Sequence, residues 1–160
     1  MKVVLAVFTK TGNSALVARA VAERLRAKGH DADVQMLKVT GDVHPGVKHV
    51  VFDRVPSLEG CDALVLGGPV WAFGASPPLT AYVAGLGDTV KGRKAIVFVT
   101  HGLPFMFTGP RRALRTLSEG LRKRGATVAE GVPVHCPGKP GETRIGQAAD
   151  LIAGRLCTLA

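Results

Sequence analysis

The sequence lacks the cysteine spacing of a metal site or of a disulfide framework. Its three cysteines, Cys61, Cys136 and Cys157, lie far apart and form no Cys-x-x-Cys pair. Long hydrophobic runs are also missing. The apolar segment Val3–Phe8 is shorter than the roughly seven to fifteen residues of a signal-peptide core and the about twenty of a membrane span. We therefore expect a cytoplasmic protein with reduced thiols, no metal site and no membrane span.

Acidic residues are scarce. The chain has 12 Asp plus Glu against 21 Lys plus Arg, so its formal net charge is +9. Such a balance favours acidic partners, nucleic acid or anionic surfaces. Nucleic acid is the least favoured of these, because aromatic residues do not alternate with the cations and no helix-turn-helix or zinc-finger spacing is present.

Part of this charge excess lies in one predicted helix, whose single acid is Glu119. The helix is either a solvated face or a docking surface for an acidic partner. Its cations are Arg111, Arg112, Arg115, Arg122, Lys123 and Arg124.

Several familiar signatures are missing as well. The chain has no Gly-x4-Gly-Lys-Ser/Thr P-loop, no Gly-x-Gly-x-x-Gly fingerprint and no Gly-x-Ser-x-Gly hydrolase turn. The clustered carboxylates with which a phosphotransfer receiver holds Mg²⁺ are absent too, since Phe8-Thr9 and Gly67-Gly68 stand at the corresponding strand ends. These absences exclude the corresponding enzyme and nucleotide-binding classes.

Short β-rich runs alternate with longer helical patterns along the chain. Several runs lack polar alternation, which is typical of strands buried on both faces of a parallel sheet. Strands are predicted over Lys2–Phe8, Asp31–Lys38, Ala63–Gly68, Lys94–Thr100 and Thr127–Val134. Helices are predicted over about Asn13–Lys28, after Pro77-Pro78, after Gly109-Pro110 and over about Thr143–Leu159.

The irregular region Val39–Gly60 is either a short helix or a loop with a small extra strand. At 160 residues and 46% hydrophobic content, the chain suits one domain over residues 1–160. Strands that alternate with helices predict a three-layer, doubly wound α/β fold with a five-stranded parallel sheet. Ligands of such sheets lie beyond the carboxyl ends of the strands, so the loops after the first, third and fourth strands should converge.

The first of these loops is rich in hydroxyl groups. It reads Thr9-Lys10-Thr11-Gly12-Asn13-Ser14 and opens the first helix. Backbone N–H groups and the positive end of the helix dipole suit a phosphate there. The alternative is an ordinary turn in which Asn13 or Ser14 caps the helix.

The second loop, Gly67–Pro78, contains Trp71, the only tryptophan of the chain. Its indole either lies flat against a planar ligand or covers the core beneath the loop. Phe73 is open to the same two roles.

The third loop, Thr100–Gly109, has a single ionisable side chain, His101. If it is an imidazolium, it would stabilise negative charge on a ligand bound nearby. Alternatively, it forms hydrogen bonds with backbone groups of the loop. Phe105 and Phe107 either cover part of a ring or form a hydrophobic lid.

Together these motifs resemble, in order, the three cofactor loops of the flavodoxin-like FMN proteins. The resemblance extends from Lys2 to about Val134. It implies FMN as the cofactor and the strand order 2-1-3-4-5, with the ligand at the switch point of the sheet. The motifs are Thr9-x-Thr11-Gly12-x-Ser14, Gly67-Gly68-Pro69-Val70-Trp71 with Ser76-Pro77-Pro78, and Thr100-x-Gly102 with Gly109.

The resemblance also implies the residues of the site, with His101 as the candidate catalytic residue. It assigns the FMN phosphate to Thr9, Lys10, Thr11, Gly12, Asn13 and Ser14, one side of the ring to Pro69, Val70, Trp71, Ala72 and Phe73, and the other side to Thr100, His101 and Gly102.

Two roles are compatible with this resemblance: an NAD(P)H-dependent quinone or flavin reductase, and an electron carrier with an acidic partner protein. Carriers of this family are typically acidic and often place Tyr in the third loop, whereas this chain is basic and has His and Phe there. This departure weighs against the carrier role more than against FMN.

Overall fold

The computed structural model describes residues 1–160 and shows alternating strands and helices. The strands are β1 (Lys2–Val7), β2 (Asp31–Met36), β3 (Lys38–Val39), β4 (Phe52–Arg54), β5 (Ala63–Trp71), β6 (Gly74–Ala75), β7 (Lys94–His101), β8 (Thr127–Val128) and β9 (Val132–His135). The helices are α1 (Asn13–Ala27), α2 (Pro77–Gly85), α3 (Pro110–Lys123) and α4 (Glu142–Cys157), with a 3₁₀ turn at Met106–Thr108. None of the helices is both long and apolar enough to span a membrane.

The main sheet has the order β2-β1-β5-β7, and β8 and β9 share the fifth position because both pair with β7. All these pairings are parallel. The predicted α/β class and the order 2-1-3-4-5 are therefore confirmed.

Apolar side chains cover both faces of this sheet. On one face, Val17 and Leu25 of α1 pack in the same core as Ile152 of α4. On the other, Leu79 of α2 and Leu117 of α3 belong to a second core. Each of these side chains is almost fully buried, which stabilises the fold by roughly 1.5–3 kcal/mol per residue. The helices thus form the two outer layers.

Two stretches differ from the predicted elements. The region Val39–Gly60 contains no helix. β4 lies within it and pairs with β3 in a small antiparallel sheet, so the predicted alternative of a loop with a small extra strand is the correct one. The predicted strand Thr127–Val134 is divided into β8 and β9. Ala129 still donates its N–H to Ala95 O at 2.9 Å, but the chain between the two short strands leaves the regular ladder.

The third strand of the sheet is longer than predicted. β5 continues past Gly68 because Pro69 remains in register with Thr100 of β7, while Val70 and Trp71 pair with β6. Part of the predicted second loop is therefore an antiparallel hairpin, which projects from the carboxyl edge of the sheet.

Candidate functional site

The loops after β1, β5 and β7 meet at one edge of the sheet. The Ser14 and Thr100 hydroxyls, from the first and third loops, lie 2.9 Å apart. The rings of Phe8 and Trp71 pack edge to face with centroids 5.4 Å apart, which joins the first loop to the second. These contacts establish the convergence that the sequence predicts.

The third loop also packs tightly on the hairpin at Gly109. Its φ of +125° lies in a region that side chains rarely adopt. A Cβ there would lie 2.6 Å from Val70 Cγ1 and 2.7 Å from Phe73 Cα. Glycine is therefore required both by the backbone conformation and by the close approach of the two loops.

The start of α1 has no side-chain cap. Gly12 occupies the N-cap position with a φ of +96° and donates its N–H to Thr9 Oγ1 at 3.0 Å. Asn13 donates to Gly138 O at 3.1 Å instead of capping the helix. The alternative in which Asn13 or Ser14 caps an ordinary turn is therefore wrong.

As a result, a group of backbone donors at this turn has no acceptor in the protein. The first N–H that bonds within the helix is that of Leu16, which donates to Gly12 O at 3.0 Å. The N–H groups without an acceptor are those of Lys10, Thr11, Asn13, Ser14 and Ala15. Free N–H groups at a helix N-terminus favour a bound anion.

A cavity of about 680 Å³ opens beside this turn. Arg19 of α1 and Lys139 from the loop after β9 line it together with the turn, and no carboxylate does. Neither cation forms an ion pair. Both add positive potential to the free N–H groups, so the donors present fit a phosphate. The cavity is lined by Thr11, Gly12, Asn13, Leu16, Arg19, Cys136, Pro137, Gly138 and Lys139.

Neither Arg19 nor Lys139 belongs to a loop motif that the sequence predicts as part of the site. Arg19 lies in α1, close to the loop in sequence, whereas Lys139 reaches the turn only because the chain after β9 returns to it. A search for cations within two turns of the loop would have found Arg19 but not Lys139.

Ser14 and Thr100 are both buried and bonded to each other. Their hydroxyls therefore hold two loops together and are not free donors at the surface of the site. Lys10 and Thr11 are exposed, whereas Thr9 shapes the turn through its bond to Gly12.

The hairpin turn between β5 and β6 has an unusual backbone. Its two turn residues, Ala72 and Phe73, have φ values of +48° and +64°. Positive φ at both positions defines the tight turn that suits a two-residue hairpin, for which Asn-Gly is the preferred sequence. Non-glycine residues in this conformation carry strain, and such strain is frequent at ligand-binding loops.

Trp71 is half-buried at the end of β5 and packs at the margin of the core, against Phe8. It does not line the cleft described next. The structure therefore supports the alternative in which its indole covers the core. Pro69 is likewise part of the strand and does not line this cleft.

The cleft lies between the hairpin turn and the third loop and has a volume of about 170 Å³. The resemblance assigns residues to the two sides of the ring, and this cleft is lined by residues from both sides. Leu103 and Thr108 were not singled out from the sequence. The lining residues are Val70, Ala72, Phe73, His101, Gly102, Leu103 and Thr108.

Phe105 and Phe107 stack on each other, with centroids 5.3 Å apart and planes 10° from parallel. Neither lines the cleft. They are 57% and 82% exposed, and so form an apolar surface on the third loop.

His101 is buried except for the part that reaches the cleft. Burial lowers its pKa, the hydrogen bond to the Leu103 carbonyl opposes this shift, and the neighbouring His135 adds to it. The site thus favours the neutral imidazole, in which Nδ1–H donates to Leu103 O at 2.6 Å. No three His, Cys, Asp or Glu side chains are grouped as metal ligands would be.

No protein-family model matches this sequence, and no curated protein matches it either. Solved structures do match. Flavodoxin 2 from Bacillus cereus is similar with a TM-score of 0.71, 19% identity and coverage of 98% of both chains. A WrbA-like flavodoxin protein from Agrobacterium tumefaciens has a TM-score of 0.70 at 13% identity, and covers 99% of this chain and 98% of its own.

A flavoprotein from Lactobacillus acidophilus, solved in complex with FMN, has a TM-score of 0.60 at 14% identity, with 83% of this chain and 93% of that chain covered. The chain therefore has a flavodoxin-like fold.

Proposed function

We propose that the protein binds FMN non-covalently and transfers electrons or hydride through it. The observation that carries this proposal is the uncapped start of α1. Two of its residues with free N–H groups, Thr11 and Asn13, line a cavity that has two unpaired cations and no carboxylate. A phosphate supplies the missing acceptors in the form that such a turn binds best. The FMN complex of the similar Lactobacillus flavoprotein supports the choice of cofactor.

The residues around the turn would bind the phosphate. Lys10, Thr11 and Asn13 offer unpartnered N–H groups, while Gly12 permits the conformation that aims them. Thr9 would act indirectly, through its bond to the Gly12 N–H, and the Ser14 hydroxyl through its bond to Thr100. The Ser14 N–H itself remains one of the free donors.

The ring would lie at the cleft, between Val70, Ala72 and Phe73 on one side and His101 and Gly102 on the other. When bound, FMN accepts hydride or single electrons, and the protein supplies position and electrostatic tuning. The cleft is smaller than the roughly 300 Å³ at which small-molecule pockets usually begin. It would enclose only part of the ring and leave an edge accessible to an electron donor or acceptor.

The test is a titration with FMN and with riboflavin, which has the same ring and no phosphate. Two charge-assisted hydrogen bonds to the phosphate predict that FMN binds at least about a hundredfold more tightly. Arg19→Gln and Lys139→Gln should weaken FMN and leave riboflavin unchanged. Arg112→Gln on α3 is the matched control, since this cation is exposed and outside both cavities. Failure to bind flavin, or equal affinity for the two ligands, overturns the proposal.

The basic charge departs from the typical carriers of the resembled family, but its concentration on α3 would suit a carrier whose partner is acidic. On α3, Arg111, Arg112, Arg115, Arg122 and Lys123 are exposed, and none forms an ion pair. A face of this kind suits an acidic redox partner. The stacked Phe105 and Phe107 add apolar surface on the loop that leads into this helix.

The enzyme role needs an open face beside the ring for NAD(P)H and a quinone. Oxidation of NADH or NADPH with a quinone separates the two roles, because a rate no faster than that of free FMN supports the carrier. Salt-sensitive retention of the flavin-free protein on DNA would instead assign the basic face to nucleic acid.

A further inference from the structure

A second histidine stands beside His101 at the edge of the cleft. His135 of β9 is in parallel register with His101 of β7, so the two side chains share a face of the sheet. Their ring centroids are 5.3 Å apart and the ring planes are tilted by 31°. Neither the position nor the spacing of His135 in the sequence points to the third loop, so this neighbour of His101 is visible only in the structure.

The contacts of His135 fix where its proton lies. Arg144 Nη1 lies 3.1 Å from His135 Nδ1 and 2.8 Å from the His135 carbonyl oxygen. A guanidinium only donates hydrogen bonds, so Nδ1 must carry a lone pair. Nε2 lies 3.2 Å from Gly102 O, which only accepts, so Nε2 carries the proton. His135 is therefore held as the neutral Nε2–H tautomer.

The contacts of His101 give the opposite tautomer. Its Nδ1 donates to Leu103 O at 2.6 Å, whereas Nε2 has no partner in the protein. Nε2 is not enclosed either, since Ser76 Oγ is the only enclosed side-chain nitrogen or oxygen without a hydrogen bond. Because His101 lines the cleft, a neutral ring offers an accessible lone pair there.

The charged and titratable groups around this pair favour that state. On β9 and just after it stand His135 and Cys136, and α4 contributes Arg144. The third loop and the hairpin have no other ionisable group. Burial raises the pKa of the Cys136 thiol, against the opposing influence of Arg144, so it stays uncharged. No anion is present to stabilise an imidazolium at His101.

We propose that His135 and Arg144 are positioning residues that hold His101 as the neutral Nδ1–H tautomer, whose Nε2 accepts a hydrogen bond from an N–H donor of the ligand in the cleft. The identity of that ligand rests on the proposed function, since the oxidised flavin ring has such an N–H at its pyrimidine edge. Arg144 fixes the His135 tautomer, His135 holds the Gly102 carbonyl, and Gly102 fixes the loop on which the Leu103 acceptor lies.

The first experiment uses ¹⁵N NMR of the imidazole rings in the flavin-free protein. At neutral pH we expect His101 as the Nδ1–H tautomer and His135 as the Nε2–H tautomer. His135→Leu removes the donor to Gly102 and should give a mixture of tautomers at His101. His135→Gln, which retains an N–H donor, should largely restore the single tautomer. His49→Asn, an exposed histidine outside the cluster, is the control and should change nothing.

The second experiment measures FMN affinity against pH in the wild type and in His101→Gln. Below the pKa of His101 the ring gains a proton at Nε2 and no longer accepts, so the wild-type affinity should fall by up to about tenfold per pH unit. The glutamine oxygen accepts a hydrogen bond at every pH. The FMN affinity of this variant should therefore change with pH only because the phosphate itself titrates, with a pKa of about 6.

An Nε2–H or cationic His101 at neutral pH overturns the proposal. So do identical pH profiles in the wild type and His101→Gln. If the tautomers are as expected but FMN binds no more tightly than riboflavin, the proposed function fails. The flavin N–H is then not the donor to His101 Nε2, although NMR still establishes the two tautomers.

Discussion

The hydroxyl oxygens of Ser14 and Thr100 lie 2.9 Å apart, although 86 residues separate them in the sequence. Ser14 is in the first turn of α1 and Thr100 is near the end of β7. Both are almost fully buried, so neither has water as an alternative partner. This bond directly links the turn that offers N–H groups to the strand end that carries His101.

Ser14→Ala should lower the free energy of unfolding by about 1–3 kcal/mol, because the Thr100 hydroxyl is left buried without a partner. Thr100→Val should cost a similar amount. The double variant should cost less than the sum, since both polar groups are then gone. Urea denaturation measures all three, with Thr116→Val on the exposed face of α3 as control. Strictly additive losses would show that the bond contributes nothing.

Gly109→Ala tests the contact between the third loop and the hairpin. The added Cβ would meet Val70 and the Phe73 backbone at 2.6–2.7 Å, and the φ of +125° strains any side chain. We expect a loss of at least about 2 kcal/mol in the free energy of unfolding. Gly138→Ala is the matched control, because a Cβ there meets nothing within 4 Å. Equal stability of the two variants would contradict the contact.

The sheet is the part of the fold that the sequence predicts best. Strands such as β1 and β7 are buried on both faces, and their uninterrupted apolar runs are unmistakable. The small sheet of β3 and β4 has no such pattern, because strands of two or three residues are held by pairing and not by burial. The break between β8 and β9 was missed for the same reason.

The site was predicted more accurately as a set of loops than as a set of side-chain contacts. Gly67 and Gly68, which belong to the second loop motif, face the core: a Cβ on Gly67 would collide with Phe98 and a Cβ on Gly68 with Leu79. Trp71 packs on Phe8 and not in the cleft. Such outcomes depend on which face each strand position presents after long-range pairing, and the local pattern does not give that.

Substitutions in the turn between β5 and β6 should stabilise the protein, because they relieve strain at Ala72 and Phe73. Ala72→Asn combined with Phe73→Gly introduces the preferred residues for positive φ at both positions, and should raise the free energy of unfolding by about 1 kcal/mol. Ala81→Gly, in the helical backbone of α2, should instead cost roughly 0.5–1 kcal/mol. Thermal denaturation compares the two. Destabilisation by the hairpin variant would show that the turn is not strained.

His101 also makes stability depend on pH, and the sign follows from its lowered pKa. Burial keeps the folded ring neutral at pH values where the unfolded chain, with an ordinary histidine pKa of about 6.5, already binds a proton. Above that value His101 contributes no pH dependence.

As the pH falls from about 6.5 towards the folded pKa, the free energy of unfolding should decrease, by up to about 1.4 kcal/mol per pH unit. His101→Gln should reduce this slope between pH 7 and pH 5.5, where most carboxylates remain ionised, and His49→Gln should not. Urea denaturation at half-unit pH steps measures the difference. Equal slopes in the wild type and in His101→Gln would show that the folded protein accommodates the imidazolium as readily as water does.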